Sequence, residues 1–360
     1  MKKIKLFDPV INKEEEKIIK KVLKSNFWAS GAGTNNVLKF ENKFKKYTNS
    51  TNCVAVNSGT AALHLALNIA GVKNKEVIVP SLSFVSTAHS IVYNEGKPVF
   101  VDVDPKTLCV DIKSIKEKIS NKTAAILPVH FAGAPCDLDE IRKLCNKYKI
   151  MLIEDAAHAA GATYKNKKIG KHGDMVCFSF HPVKNLAMPT GGAITLNGKK
   201  TNARKKTLNS LRWCGISNRK ETSYDVSNLG WNYYMNEFSA AIGIIQLKRL
   251  DLMNKIRKKI AKRYSKEILN SDKMQFNNDY SYHFYWIKIK KRDKFMNELK
   301  ANKIETGIHY KPIHKMSYYN TKDNLPNSEY AGKHVVSLPT HPNLSDSEIS
   351  KIISLVNKFS

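Results

Sequence analysis

Seven short runs rich in Val, Ile and Phe punctuate the first 250 residues, each bounded by turn-forming residues and separated by enough chain for a helix. They are Cys53 to Val56, Glu76 to Val79, Pro98 to Val101, Ala124 to Val129, Met151 to Glu154, Val176 to Phe180 and Gly192 to Leu196. Runs of this kind read as strands. Several are continuously apolar, the pattern of a sheet buried on both faces. Helical patterns lie between them: Thr60 to Ala70, an Ala/Leu stripe after a Ser-Gly-Thr start, and the amphipathic Ile112 to Ile119 and Leu138 to Lys149. Strand and helix in alternation predict an α/β, doubly wound domain.

The rest of the chain reads differently. Asn236 to Lys266 has helical spacing and many lysines, Tyr280 to Ile289 alternates in part like a half-buried strand, and Arg292 to Asn302 and Ser345 to Phe359 look helical. This predicts two domains, residues 1–251 (with an N-terminal arm) and a smaller α+β domain over 252–360. A chain of 360 residues, 42% hydrophobic and 25% charged, is long enough and ordinary enough for that division.

Charge is the most unusual quantity: 60 basic against 31 acidic residues, a net +29. Such an excess raises nucleic-acid or membrane binding as a class. Only eight of the basic residues are arginine, the residue that base readers and phosphate forks favour, and no zinc finger, RNP motif or basic zipper is present. No nucleic-acid or membrane partner is therefore expected. Met1 to Lys20 holds no apolar core of the kind a signal peptide needs. The six cysteines are scattered without a CxxC pair, which argues against zinc and disulfides and for a cytoplasmic protein.

In open α/β sheets ligands bind beyond the carboxyl ends of the strands. After Cys53 to Val56 comes Asn57-Ser58-Gly59-Thr60, opening an alanine-rich helix. Small residues and a helix N-terminus make a phosphate cradle there, although Ser58 or Thr60 serves equally well as an ordinary helix cap. After Met151 to Glu154 comes Asp155-Ala156-Ala157-His158, and after Val176 to Phe180 comes His181-Pro182-Val183-Lys184-Asn185. One lysine among so many is ordinarily a solvated surface residue. A phosphate cradle, an acid at one strand end and a lysine at a later one are together what pyridoxal 5'-phosphate needs. The lysine bonds the cofactor aldehyde and must be desolvated enough to be a free amine. The acid keeps the pyridine nitrogen protonated. An aromatic to stack on the ring is available in Phe84, on the loop after the second strand.

With these residues in place the sequence resembles the DegT/DnrJ/StrS aminotransferases, sugar-modifying members of the type I pyridoxal-phosphate fold. The resemblance runs from Phe7-Asp8-Pro9 through Ala55-Val56-Asn57-Ser58-Gly59-Thr60, Glu154-Asp155-Ala156-Ala157-His158 and Phe178-Ser179-Phe180-His181-Pro182-Val183-Lys184-Asn185. It continues through Gly230-Trp231-Asn232-Tyr233 and His309-Tyr310-Lys311-Pro312-Ile313-His314 to Ser337-Leu338-Pro339. It implies a large cofactor-binding domain with a seven-stranded, mostly parallel sheet.

The resemblance also implies roles. Lys184 is the cofactor-bonding lysine and Asp155 the acid on the pyridine nitrogen. His158 stands where many members have Gln, near the phenolic oxygen. Ser58, Gly59 and Thr60, with Ser179, hold the phosphate, and Phe84 stacks on the ring. Asn232 reaches the phosphate of the neighbouring subunit, so a homodimer with shared active sites is implied. His309, Tyr310 and His314 fall to the substrate, and no metal is involved. Thr190 replaces the usual Glu before Gly191-Gly192, Tyr234 replaces an arginine before Met235, and Cys214 replaces a histidine before Gly215.

The expected activity is transfer of an amino group from L-glutamate to a keto group of a nucleotide-linked sugar. C4 is the expected position, because His181-Pro182-Val183-Lys184 is more like C4 members than the Tyr-Pro-Gly-Lys type. A cyclitol ketone is a second substrate class. A dehydratase would carry histidine in place of Lys184. A non-catalytic regulator on the same scaffold would have no need of the intact Lys184, Asp155 and Gly59-Thr60 set.

Overall fold

A computed structural model describes residues 3–360. All seven expected strands form one sheet: β1 (Asn52–Val56), β2 (Glu76–Pro80), β3 (Lys97–Val101), β4 (Thr123–Ile126), β5 (Met151–Asp155), β6 (Met175–Ser179) and β7 (Gly192–Leu196). Their order is β1-β7-β6-β5-β4-β2-β3. Neighbours from β3 across to β6 are parallel. Only β7 runs against its neighbours, β1 and β6. The sheet is the α/β, seven-stranded and mostly parallel arrangement expected from the sequence.

Both faces of the sheet are buried, as the continuous apolar runs require. Along β1, Val54 and Val56 join one apolar cluster while Cys53 and Ala55 join the other. The helix Gly59–Ala70 covers the first face with its Ala/Leu stripe. The second is covered by Asn35–Thr48, whose Phe44 meets Phe178 edge-on at 4.9 Å between ring centroids, and by the long helix Glu237–Glu267. That helix is capped by the Asn236 side chain and runs unbroken for 31 residues through position 251.

Beyond it, β8 (Tyr285–Lys288) and β9 (Val335–Leu338) pair antiparallel, with helices Arg292–Ala301 and Asp346–Phe359 nearby. The strand expected over 280–289 is shorter than its alternation suggests. Ser281 and His283 leave the pair and donate their backbone N–H groups to Gly133 and Ala132 beside the main sheet. The arm before residue 12 is tied to the C-terminal elements. Ile4 bridges to Ile304, Leu6 N–H donates to Glu305 at 3.0 Å, and the Lys5 carbonyl bonds the His341 ring at 3.0 Å.

One buried ion pair fixes β1. Arg212 and Glu41 are almost wholly enclosed and 2.5 Å apart. Arg212 also donates to the Ala55 carbonyl at 2.7 Å, while Glu41 accepts from the Ala55 N–H at 2.9 Å. The pair therefore bonds both backbone groups of one strand residue, two positions before Asn57. Removing one partner strands the other charge in apolar surroundings, at a cost of about 3–5 kcal/mol. Arg212→Ala and Glu41→Ala should each lower the unfolding free energy by that order in urea denaturation, with the double variant losing much less than the sum.

Candidate active site

The sheet register assembles the site. Val56 faces Gly192, and Gly192 faces Ser179 on its other side, so the ends of β1 and β6 lie in one row across the start of β7. The Asn57-Ser58-Gly59 turn crosses above that row at a distance only glycine permits. A Cβ on Gly59 would lie 2.7 Å from Ser179 Cβ, and one on Gly192 would lie 2.3 Å from the Ser58 carbonyl oxygen. Ser58 caps the helix through the Ala61 N–H at 3.1 Å, so the ordinary reading of this motif holds as well. The cap directs the first N–H groups of the helix out over the strand ends, with the positive end of the helix dipole behind them.

Asp155 ends β5 and is buried. It accepts from the Thr87 hydroxyl at 2.9 Å and from the Ala157 N–H at 3.1 Å. Ser83 in turn bonds Thr87 at 2.8 Å. Burial raises the Asp155 carboxyl, and those two hydrogen bonds and the Lys184 charge oppose the rise.

Lys184 stands on a turn closed by its own N–H to the His181 carbonyl, 2.8 Å. Asn185 pins that turn by donating to Asn254 on the long helix at 2.9 Å and to the Ser281 carbonyl at 2.8 Å. The Lys184 amine keeps some accessible surface because it opens on a cavity, but protein encloses it on every other side. This desolvation pushes it down to about 8, against the pull of Asp155.

The cavity has a volume of about 360 Å³ and is lined by Ser58, Gly59, Thr60 and Ser179 at one side, within the ~300–1,000 Å³ range of small-molecule sites. Asp155, His158, Lys184, Phe84, His309 and Tyr310 also line it. Ten of the twelve residues expected from the sequence thus meet in one space. Phe84 is 56% exposed, leaving its ring available to a ligand or partner. His158 is buried and bonds the Tyr310 hydroxyl through Nε2 at 3.1 Å, while its Nδ1 has no partner. Burial and the Lys184 charge push its imidazole well down, so it is neutral. His309 is likewise lowered to about 4 by burial and Lys184.

Two expected residues lie elsewhere. His314 is fully buried outside the cavity, its ring bonded to Ser81 at 2.5 Å and to Glu329 at 3.3 Å, where it ties the 313–315 turn to the loop after β2. Asn232 is exposed, its backbone carbonyl accepting from Asn57 at 3.3 Å. Thr87, His283, Phe7 and Thr190 were not singled out for the site. Thr87 supports Asp155; the other three line the cavity. Thr190, noted only as a departure, bonds the Asn57 carbonyl at 2.5 Å. Thr87 follows the Ser83-Phe84 loop by one helical turn, a signal the sequence did contain. Nothing in the sequence brings Phe7 or His283 to the cavity.

A lysine lowered to about 8 is mostly ammonium at pH 7 and mostly amine above pH 9. Capture of a simple aldehyde by the apoprotein should therefore rise with pH through a midpoint near 8 instead of near 10.5, read by reductive trapping and peptide mapping. Lys184→Ala should abolish that component. A midpoint near 10.5 would show that the amine is fully solvated.

Comparison with known proteins agrees with this geometry. The model of the DegT/DnrJ/EryC1/StrS aminotransferase family matches residues 9–357. GDP-perosamine synthase of Escherichia coli O157:H7 is 33% identical over 367 residues, covering 100% of this chain and 99% of its own. The spore coat polysaccharide biosynthesis protein SpsC of Bacillus subtilis is 33% identical over 371 residues, covering 97% and 95%. The PLP form of Spr1654 from Streptococcus pneumoniae superimposes with a TM-score of 0.94 at 26% identity, covering 99% of this chain and 98% of its own. With a family model spanning nearly its whole length and relatives of this identity and coverage, the chain belongs to the DegT/DnrJ/EryC1/StrS aminotransferase family and is a sugar aminotransferase.

Proposed function

We propose that this aminotransferase uses pyridoxal 5'-phosphate to move the amino group of L-glutamate to C4 of a nucleotide-linked 4-keto-6-deoxy sugar. The observation that carries the reading is the convergence, on one cavity, of an enclosed lysine, a buried carboxylate and a cradle that a Cβ would fill. Solved neighbours include PLP and PMP forms of Spr1654, and GDP-perosamine synthase bears a nucleotide sugar in its name.

The residues present fit the cofactor. The cradle of Ser58, Gly59, Thr60 and Ser179 offers backbone N–H groups and hydroxyls to a phosphate. Asp155 offers a carboxylate, braced by Thr87, to a protonated ring nitrogen. His158 has a buried Nδ1 still without a partner, suited to a phenolic oxygen. Bound there, pyridoxal phosphate supplies an aldehyde that bonds an amine and a ring that withdraws electrons from the substrate's Cα.

Everything else falls to the chain. Lys184 holds the proton at Nζ when charged and gives it up when neutral, and a pKa near 8 makes both states accessible at working pH. The Asn185 anchors keep that amine over the cavity while its proton is in transit. His158, His309 and Tyr310 stay uncharged, so a carbonyl or hydroxyl can approach without meeting a fixed charge. In this reading Asn232, exposed beside the cradle, completes the phosphate site of a second subunit in a homodimer.

Lys184→Ala should leave the fold intact and lower turnover by at least ~10²–10⁴-fold, the worth of general acid–base catalysis. Borohydride should fix the cofactor to Lys184 alone in the wild type. Incubation with L-glutamate and a panel of nucleoside-diphosphate keto-sugars, with NMR of the product, tests the substrate. Amination at C3, or activity confined to a cyclitol ketone, would overturn the assignment. Asn232→Ala should weaken cofactor retention without loss of the folded state. A monomer at micromolar concentration with full activity would overturn the shared-site reading.

A further inference from the structure

The cavity wall contributed by the C-terminal elements and the N-terminal arm holds two rings, Phe7 and His283, that neither the cofactor fit nor the proton chemistry uses. Phe7 stacks on His283 with centroids 4.9 Å apart and planes 15° from parallel. His283 lies on His158 at 4.5 Å and 30°. His283 is 1% exposed, and its Nδ1 has no hydrogen-bond partner. Its backbone N–H donates to the Ala132 carbonyl at 2.9 Å, which anchors the main chain of the loop that replaces the start of β8. A buried imidazole with an unpaired nitrogen is costly unless a partner arrives in the working state.

We propose that His283 is a further substrate contact, offering one edge of its imidazole to a ring hydroxyl of the acceptor keto-sugar, and that Phe7 is the positioning residue that fixes that ring. The inference rests on the sugar-aminotransferase reading of this same cavity. The groups that face His283 decide between the two substrates. They are Phe7, His158 and Phe284, with His309 beyond Phe284 and with Lys184 and Arg257 acting on it through space. Burial, Lys184, the other histidines and Arg257 all hold the His283 imidazole neutral. Neutral nitrogens among aromatic faces suit a carbohydrate, whose hydroxyls need donors and acceptors and whose C–H faces pack on rings. A dicarboxylate donor would instead call for cations at the wall.

Phe7 reaches the cavity because the arm is fastened on both sides of it. Leu6 bonds Glu305, and Asp8 bonds Asn343 at 2.9 Å. The arm therefore sets which face of His283 is covered and leaves its edge for the ligand. Removing the Phe7 ring would free that imidazole to tilt and to hydrate.

The test has two arms. In the apoprotein, histidine 15N NMR at about pH 6, where a free histidine is largely protonated, should show His283 neutral in wild type and measurably protonated in Phe7→Ala, with Phe7→Tyr like wild type. In the holoenzyme, single-turnover half-reactions separate the substrates: L-glutamate with the pyridoxal form, and a nucleoside-diphosphate 4-keto-6-deoxyhexose with the pyridoxamine form. His283→Phe keeps the stack but loses the polar edge. It should impair the sugar half-reaction roughly tenfold more than the glutamate half-reaction, chiefly through the half-saturating sugar concentration. His283→Gln should recover part of that loss. Equal loss in both half-reactions, or a larger loss with glutamate, would overturn the sugar contact. An unchanged His283 titration in Phe7→Ala would overturn the positioning role. Wild-type enzyme inert toward every keto-sugar, yet bleached by glutamate, would overturn the sugar reading itself and the contact with it, while the apoprotein titration would still report on the Phe7 stack.

Discussion

The close approach of the Ser58-Gly59 turn to the ends of β6 and β7 is the constraint on which the site depends. Two missing side chains permit it: Gly59 against Ser179, and Gly192 against the Ser58 carbonyl. Any Cβ at either place would lift the helix Gly59–Ala70 off the sheet, and with it the N–H groups that make the cradle. The antiparallel direction of β7 suits this approach. Reversal puts its first residue, a glycine, beside the last residues of β1 and β6, so one bare backbone serves two neighbours.

The elements that hold this arrangement are polar and buried, which is costly unless each group is paired. Arg212 and Glu41 satisfy each other and both backbone groups of Ala55. Asn185 bridges the lysine turn to Asn254 and Ser281, and Asn254 continues to the Ala160 carbonyl at 2.9 Å. The long helix thus ties the turn after β6, which carries Lys184, to the segment that follows Asp155 at the end of β5. Among the described residues that line the cavity, His158 and His283 each keep a buried Nδ1 without a partner. Polar groups held in place before a ligand arrives are what a preorganised site should show.

Much of this was legible in the sequence because the strands are short, apolar and followed directly by their functional residues. Asp155 and Lys184 lie within five residues of a strand end, where local order fixes their direction. Helix Lys13–Lys24 was not anticipated, although Asn12 and Glu15 form a capping box there, because its charged face hides the apolar one. His314 was misplaced for a physical reason. It shares a short motif with His309 and Tyr310, but Pro312 and the 313–315 turn reverse the chain and deliver its ring to Ser81. Phe7 and His283 were illegible because tertiary contacts alone bring them to the cavity, the first through Glu305 and Asn343 and the second through Ala132.

The excess of lysine tells little about the chemistry, and the physics of screening shows why. Most of these lysines lie on the surface, where physiological salt damps a charge over about 8 Å. Lys184 is distinguished by the opposite property: enclosed, with Asp155 as its chief attraction, it can become neutral. Burial pushes the amine down and the carboxyl up, so each loses charge, while their mutual attraction works against both shifts. The imidazoles of His158, His283 and His309 are held neutral by that same burial and by the charge of Lys184. The cavity is therefore close to electroneutral inside a strongly cationic molecule. Among the described residues Lys184 is the one ammonium that lines the cavity, so a phosphate can settle on backbone N–H groups while that ammonium acts as an acid and a base.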